Sequence, residues 1–133
     1  NQVNAVYFTK IQQRQETMNK EHSFLMDEQQ FKKRADDALE SLYRKLAIAS
    51  DRYDFEPDFN NGALSIEFEE PKAKFVVSPN SPVKQIWVSA HSRSFKLDWD
   101  DAHQLFVFPE NGNSLEGLMR TAIGTQLDEE ITL

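Results

Sequence analysis

The sequence predicts an α+β fold, a two-layer α-β sandwich in which an N-terminal and a C-terminal helix pack on one face of an antiparallel sheet of five to six strands. Three observations predict it. Apolar residues recur at spacings of three and four in two stretches, one towards each end of the chain. Between them, short runs alternate apolar and polar residues with the period of two that a half-buried strand requires. Turn signals such as Asn60-Asn61-Gly62 separate these runs so closely that neighbouring strands must be antiparallel.

Residues 1–23 are polar and rich in Gln and Asn, with only two acids, and are expected to form a flexible N-terminal extension ahead of a domain over 24–133. Phe31, Ala35, Ala38, Leu39, Leu42 and Leu46 then mark a helix running from Asp27 to near Ser50, with Asp27 and Gln30 spaced as a capping pair. Tyr53-Asp54-Phe55-Glu56-Pro57-Asp58-Phe59 alternates an aromatic or Pro with an acid. This predicts a strand with Tyr53, Phe55 and Phe59 on one face and Asp54, Glu56 and Asp58 on the other, and Pro57 sends it to a sheet edge. After the Asn-Gly turn, Leu64, Ile66 and Phe68 alternate with Ser65, Glu67 and Glu69. Further strands are expected over 73–78, 83–90, 94–99 and 104–108, with a turn from Pro79 to Pro82 and with Phe95, Leu97 and Trp99 on one side of their strand. Asn113 is the expected cap of the closing helix, with Glu116 as its third residue. Leu115, Leu118, Met119, Ala122, Ile123 and Leu127 form that helix's apolar face.

The run Lys84-Gln85-Ile86-Trp87-Val88-Ser89 carries the sharpest functional signal. If Ile86 and Val88 point into the core, alternation sets Trp87 on the outer surface beside Gln85. Burying such a ring removes about 150–250 Å² from water, so an outward tryptophan is a candidate hot spot for a partner. The alternative is that loops or long polar side chains of the same chain cover it.

The 133 residues include no cysteine, which removes disulfides, thiolate metal sites and cysteine nucleophiles together. His22, His91 and His103 stand apart without paired ligand spacing, so no zinc site is expected. A net charge of −7 argues against nucleic acid and anionic membranes and favours cations or a basic protein partner. Twelve acids face six bases in residues 27–70, against eight and six in 71–133, so the acidity is concentrated early. Asp36, Asp37 and Glu40 on the helix, with Asp51, Asp54, Glu56 and Asp58 beyond it, are the candidate cation ligands. Carboxylate oxygens suit hard cations, and without His or Cys companions the binding would be weak. A solvated acidic face is the alternative. No nucleophile elbow, phosphate loop or Ser-His-Asp order is present, and an exposed ridge lacks the dry pocket that separates two carboxylate pKa values, so no enzyme activity is expected.

Several of these motifs occur together in one family. Ala35-Asp36 with Leu39 in a helix, an acidic edge strand, an Asn-Gly hairpin into Ala63-Leu64-Ser65-Ile66, Pro82-x-Lys84-Gln85-Ile86-Trp87-Val88-Ser89, Leu97-Asp98-Trp99 and a helix opening at Gly112-x-Ser114-Leu115 resemble frataxin, including its bacterial CyaY branch, over residues 26–127. The resemblance implies an α-β sandwich protein of iron–sulfur cluster assembly. Such a protein binds iron (Fe2+ or Fe3+) weakly through an acidic ridge and engages a cysteine desulfurase and its iron–sulfur scaffold protein, with no haem, nucleotide or resident cluster. On it, Asp54, Glu56 and Asp58 fall on the ridge's first-strand positions, Asp36 on an acid near the helix start, and Trp87 on the sheet-surface tryptophan. Lys84, Gln85 and Ser89 join Trp87 as expected partner contacts.

Two departures qualify the resemblance. Tyr43, Arg44, Lys45, Ala47 and Ile48 stand where the family carries acids at the helix end, and Ser78 stands where an asparagine often precedes the tryptophan strand. Reduced iron capacity is the expectation. An iron-storage or ferroxidase protein is the alternative function. A monomer in the bacterial cytoplasm is expected, with the mitochondrial matrix as the alternative, because residues 1–23 are not Arg-rich and acid-free as a transit peptide would be.

Overall fold

In the computed structural model, which describes residues 26–133, helix α1 (Glu28–Ala49) begins where the sequence places it. The Asp27 carboxylate accepts from the Gln30 N–H at 2.8 Å, and Gln30 Oε1 accepts from the Asp27 N–H at 3.2 Å. This reciprocal capping box satisfies two donors that a helix start leaves unpaired. Phe31, Ala35, Leu39, Leu42, Leu46 and Ala49 form the buried stripe. The extension expected over 1–23, and His22 within it, lie outside the described residues.

Six strands follow in a meander: β1 (Glu56–Asn60), β2 (Ala63–Glu69), β3 (Lys72–Asn80), β4 (Gln85–Ala90), β5 (Arg93–Asp100) and β6 (Leu105–Val107), each antiparallel to its neighbours and ordered β1-β2-β3-β4-β5-β6. Asn61 and Gly62 take φ of 55° and 76°, the left-handed pair that a tight two-residue hairpin needs. Helix α2 (Leu115–Leu127) closes the fold. Leu64, Ile66, Phe68, Phe75, Val77, Ile86, Val88, Leu97 and Phe106 from the sheet meet the α1 stripe and Leu118, Met119 and Ile123 of α2 in one core. That core lies on a single face of the sheet. No helix among the described residues is long and apolar enough to cross a membrane.

Three boundaries differ from the sequence reading. The first strand starts at Glu56 rather than Tyr53, because the Ala49 carbonyl takes the N–H groups of both Arg52 and Tyr53 and prolongs the helix end into a turn. Tyr53 instead accepts the Thr132 N–H on its hydroxyl at 3.2 Å. At the second boundary, β3 continues through Pro79, which pairs with Ile86, and the turn is delayed to a single 3₁₀ turn over Ser81–Val83. Pro82 is the second residue of that turn, where its fixed φ and missing N–H carry no penalty. The third concerns the α2 cap, which is Ser114, not Asn113. Ser114 Oγ accepts the Gly117 N–H at 3.1 Å, while the Asn113 carbonyl is already taken by the Phe108 N–H at 2.8 Å. Glu116, one place nearer the helix start than expected, ion-pairs with Lys45 of α1 at 2.8 Å and joins the two helices.

Candidate functional site

Both helices cover the same sheet face, so every second residue of β1 to β5 points the other way. In β4, Ile86 and Val88 are buried at 0% and 1% exposure, whereas Trp87 is partly exposed and Ser89 is exposed. The alternation argument therefore holds at Trp87. The ring stands between Ser78 of β3 and Lys96 of β5, its direct cross-strand neighbours.

Trp87 is not bare. Its Nε1–H donates to Gln85 Oε1 at 3.0 Å, and Gln85 Nε2 in turn donates to Asp98 Oδ1 at 2.9 Å. The Lys96 ammonium lies 4.9 Å from the indole centroid, within cation–π range. Long polar side chains thus cover part of the ring, as the alternative reading expected, yet they leave it at the surface. Lys84 takes φ of 53° at the end of the 3₁₀ turn and leads directly into Gln85. Lys96 and Asp98 are site residues that the sequence reading missed. They are placed by a register that the residue types do not mark: the two-residue turn His91–Ser92 pairs Ala90 with Arg93, and counting outward sets Trp87 against Lys96.

Trp99, the second tryptophan, shows the contrast. It packs edge-to-face on Phe106 at 5.1 Å, lies under the Arg34 guanidinium at 4.5 Å and belongs to the core layer.

The seven candidate cation ligands do not converge. Among the described residues, no group of three or more His, Asp or Glu side chains is arranged to hold a metal ion. Asp37 pairs with Lys33 at 3.2 Å, and Glu40 pairs with Arg44 at 2.5 Å, each one helical turn away. Asp36 lies seven residues before Tyr43, on the α1 flank where the Tyr43 ring meets Phe59 of β1 at a tilt, with centroids 5.9 Å apart. Asp51 and Asp54 sit in the turn after α1, so only Glu56 and Asp58 share the outward face of β1.

The structure brings other acids to that edge instead. Glu67 stands directly across from Glu56, and an open groove of about 670 Å³ is lined by Asp54, Glu56, Glu67 and Glu69 together with Lys72. Directly opposed like charges are unfavourable in a ladder. Lys74, 3.9 Å from Glu67 on the next strand, offsets part of the repulsion. Farther along the sheet, hydrogen bonds from the His103 side chain and from the His103 and Ala102 N–H groups hold the Asp100 carboxyl below its ordinary pKa.

Fold and surface together define an α-β sandwich protein that presents one tryptophan on the sheet face opposite α1 and α2 and gathers carboxylates along the adjoining edge. The profile of the frataxin-like domain matches residues 24–129, and the chain belongs to that family. It is 29% identical over 97 residues to the iron-sulfur cluster assembly protein CyaY of Pseudomonas aeruginosa, covering 71% of this chain and 89% of that one. It is 27% identical over 95 residues to the CyaY of Azotobacter vinelandii, covering 70% and 86%. The solved frataxin of Psychromonas ingrahamii superposes with a TM-score of 0.69 at 21% identity, covering 80% of this chain and 96% of that one, a likeness of fold.

Proposed function

We propose that this protein is an iron-binding regulator of iron–sulfur cluster assembly that docks on a cysteine desulfurase–scaffold complex. Trp87 with Lys84, Gln85 and Ser89 meets the scaffold, while the carboxylates of β1, β2 and the turn before them meet a basic desulfurase surface. The relatives named for cluster assembly support the process. The observation that carries the docking reading is the outward Trp87, ordered by its own hydrogen bond on the sheet face opposite α1 and α2. Complementary charge along the acidic edge would speed encounter and fade with salt.

Iron in this reading is cargo. Carboxylate oxygens fit Fe2+ and Fe3+ by hardness, but with Asp36, Asp37, Glu40, Asp51, Asp54, Glu56 and Asp58 spread along an edge, each ion meets few ligands and exchanges readily. Iron storage or ferroxidase chemistry would need carboxylates gathered on one ion, and the described residues offer no such group of three. The bacterial relatives favour a bacterial cytoplasm over the mitochondrial matrix for this activity.

The test is cysteine desulfurase turnover with scaffold and iron, measured with and without the protein and with its Trp87→Ala variant. The expected result is a rate change that Trp87→Ala abolishes. A Trp87→Ala protein with the full effect would remove the tryptophan from the docking surface.

A further inference from the structure

We propose that Asp98 is a positioning residue of the Trp87 surface, orienting the indole through the side-chain amide of Gln85. The inference deepens the docking reading above and, for its effect on binding, rests on it.

Ile86 pairs with Leu97, and one step further the same register sets Gln85 opposite Asp98. The three side chains differ in what they can do. An ionised carboxylate only accepts, an indole N–H only donates, and a side-chain amide has one end of each kind. Only one orientation of the Gln85 amide satisfies both neighbours, with Nε2 towards Asp98 at 2.9 Å and Oε1 towards the indole at 3.0 Å. Asp98 therefore decides which way the amide faces, and the amide decides where the indole N–H points. Without the carboxylate, the amide is free to turn its NH2 end towards the indole, where donor would meet donor.

Lys96, between Leu97 and Phe95 on the same strand, holds the ring from its face at 4.9 Å. Gln85, Trp87, Lys96 and Asp98 thus form one unit across β4 and β5. Its consequence for recognition is specific. The indole N–H already has an internal acceptor, so a partner meets the ring carbons of Trp87 and gains a side chain whose rotamer is fixed before binding, which lowers the ordering cost of association.

The full chain labelled with 15N gives two indole resonances, and Trp99→Phe assigns them. Asp98→Ala is expected to move the Trp87 Nε1–H resonance, lower its heteronuclear NOE and weaken binding to the desulfurase–scaffold complex by about fivefold to tenfold, the scale of one ordinary solvent-exposed hydrogen bond. Asp98→Asn keeps an acceptor in the same place and is expected to retain the resonance and to bind within about twofold of the parent. Gln85→Ala deletes the link itself and should move the resonance as Asp98→Ala does, which keeps the test decisive if Asp98→Ala fails to fold. An unmoved resonance in Asp98→Ala or in Gln85→Ala overturns the proposal. So does Asp98→Asn behaving like Asp98→Ala, because charge at residue 98 would then matter in place of its acceptor. If Trp87→Ala binds like the parent while Asp98→Ala still moves the resonance, the positioning role stands and the docking reading fails.

Discussion

Lys96 stands directly opposite Trp87 in the β4–β5 ladder, with its ammonium 4.9 Å from the indole centroid. A cation over a ring at an exposed site contributes about 0.5–1 kcal/mol, so Lys96→Ala is expected to lower unfolding free energy by that amount. It should also uncover the indole. Acrylamide quenching of Trp87 fluorescence, read in a Trp99→Phe background, should rise, and unchanged quenching would show that Lys96 does not cover the ring.

Ile86 and Trp87 are neighbours in sequence and lie on opposite faces of the sheet. Ile86→Ala opens a cavity in the core and is expected to cost about 2–5 kcal/mol. Trp87→Ala removes one hydrogen bond and one cation–π contact and is expected to cost about 1–2 kcal/mol. Urea unfolding of the two variants checks the order, and equal losses would contradict the outward placement of the ring.

Glu56 faces Glu67 directly across β1 and β2. Relieving a directly opposed like-charge pair recovers about 0.2–1 kcal/mol, so Glu56→Gln should make the protein more stable at low salt. The gain should shrink as salt approaches about 1 M, where the screening length falls to about 3 Å. Thermal midpoints across a salt series measure both. A salt-independent change would assign the effect to packing. A more stable variant that docks less well would identify this edge as one where stability is given up for recognition.

Asp100 should titrate below its ordinary value of 3.8, because the His103 ring and the backbone N–H groups of His103 and Ala102 donate to its carboxylate. The folded state then releases this proton more readily than the unfolded chain. The contact adds stability above 3.8 and loses it as pH falls through the lower native value. His103→Ala should move the Asp100 midpoint upward in a carboxyl 13C titration, and a midpoint that stays put would assign the shift to the backbone donors alone.

Much of the frame was legible because it rests on local chemistry. The capping pair at Asp27 and Gln30, the left-handed pair at Asn61 and Gly62 and the alternation around Trp87 each announce themselves in a few residues. The partners of Trp87 were hidden by an unusual turn. His91 and Ser92 adopt φ of 53° and 59° without a glycine or asparagine to mark them, so the register linking Gln85 to Asp98 could not be counted from residue types. The acidic edge was only half legible for another reason. Alternation of charge continues back to Asp54, but the Ala49 carbonyl holds the N–H groups of Arg52 and Tyr53 in a turn, and backbone competition of that kind leaves no trace in a polarity pattern. Glu67 and Glu69 were visible as strand residues, yet only the fold of the β1–β2 hairpin sets Glu67 against Glu56.

The meander has a kinetic consequence. Because every strand pairs only with its sequence neighbours, the sheet can zip hairpin by hairpin with short loops to close. The sequence-distant step is the settling of α1 and α2 together on the finished sheet, marked by the Lys45–Glu116 ion pair between residues 71 positions apart. The Trp87 surface, built from β3, β4, β5 and the turn that ends at Lys84, therefore depends on contacts between sequence neighbours and not on the meeting of the two ends of the domain.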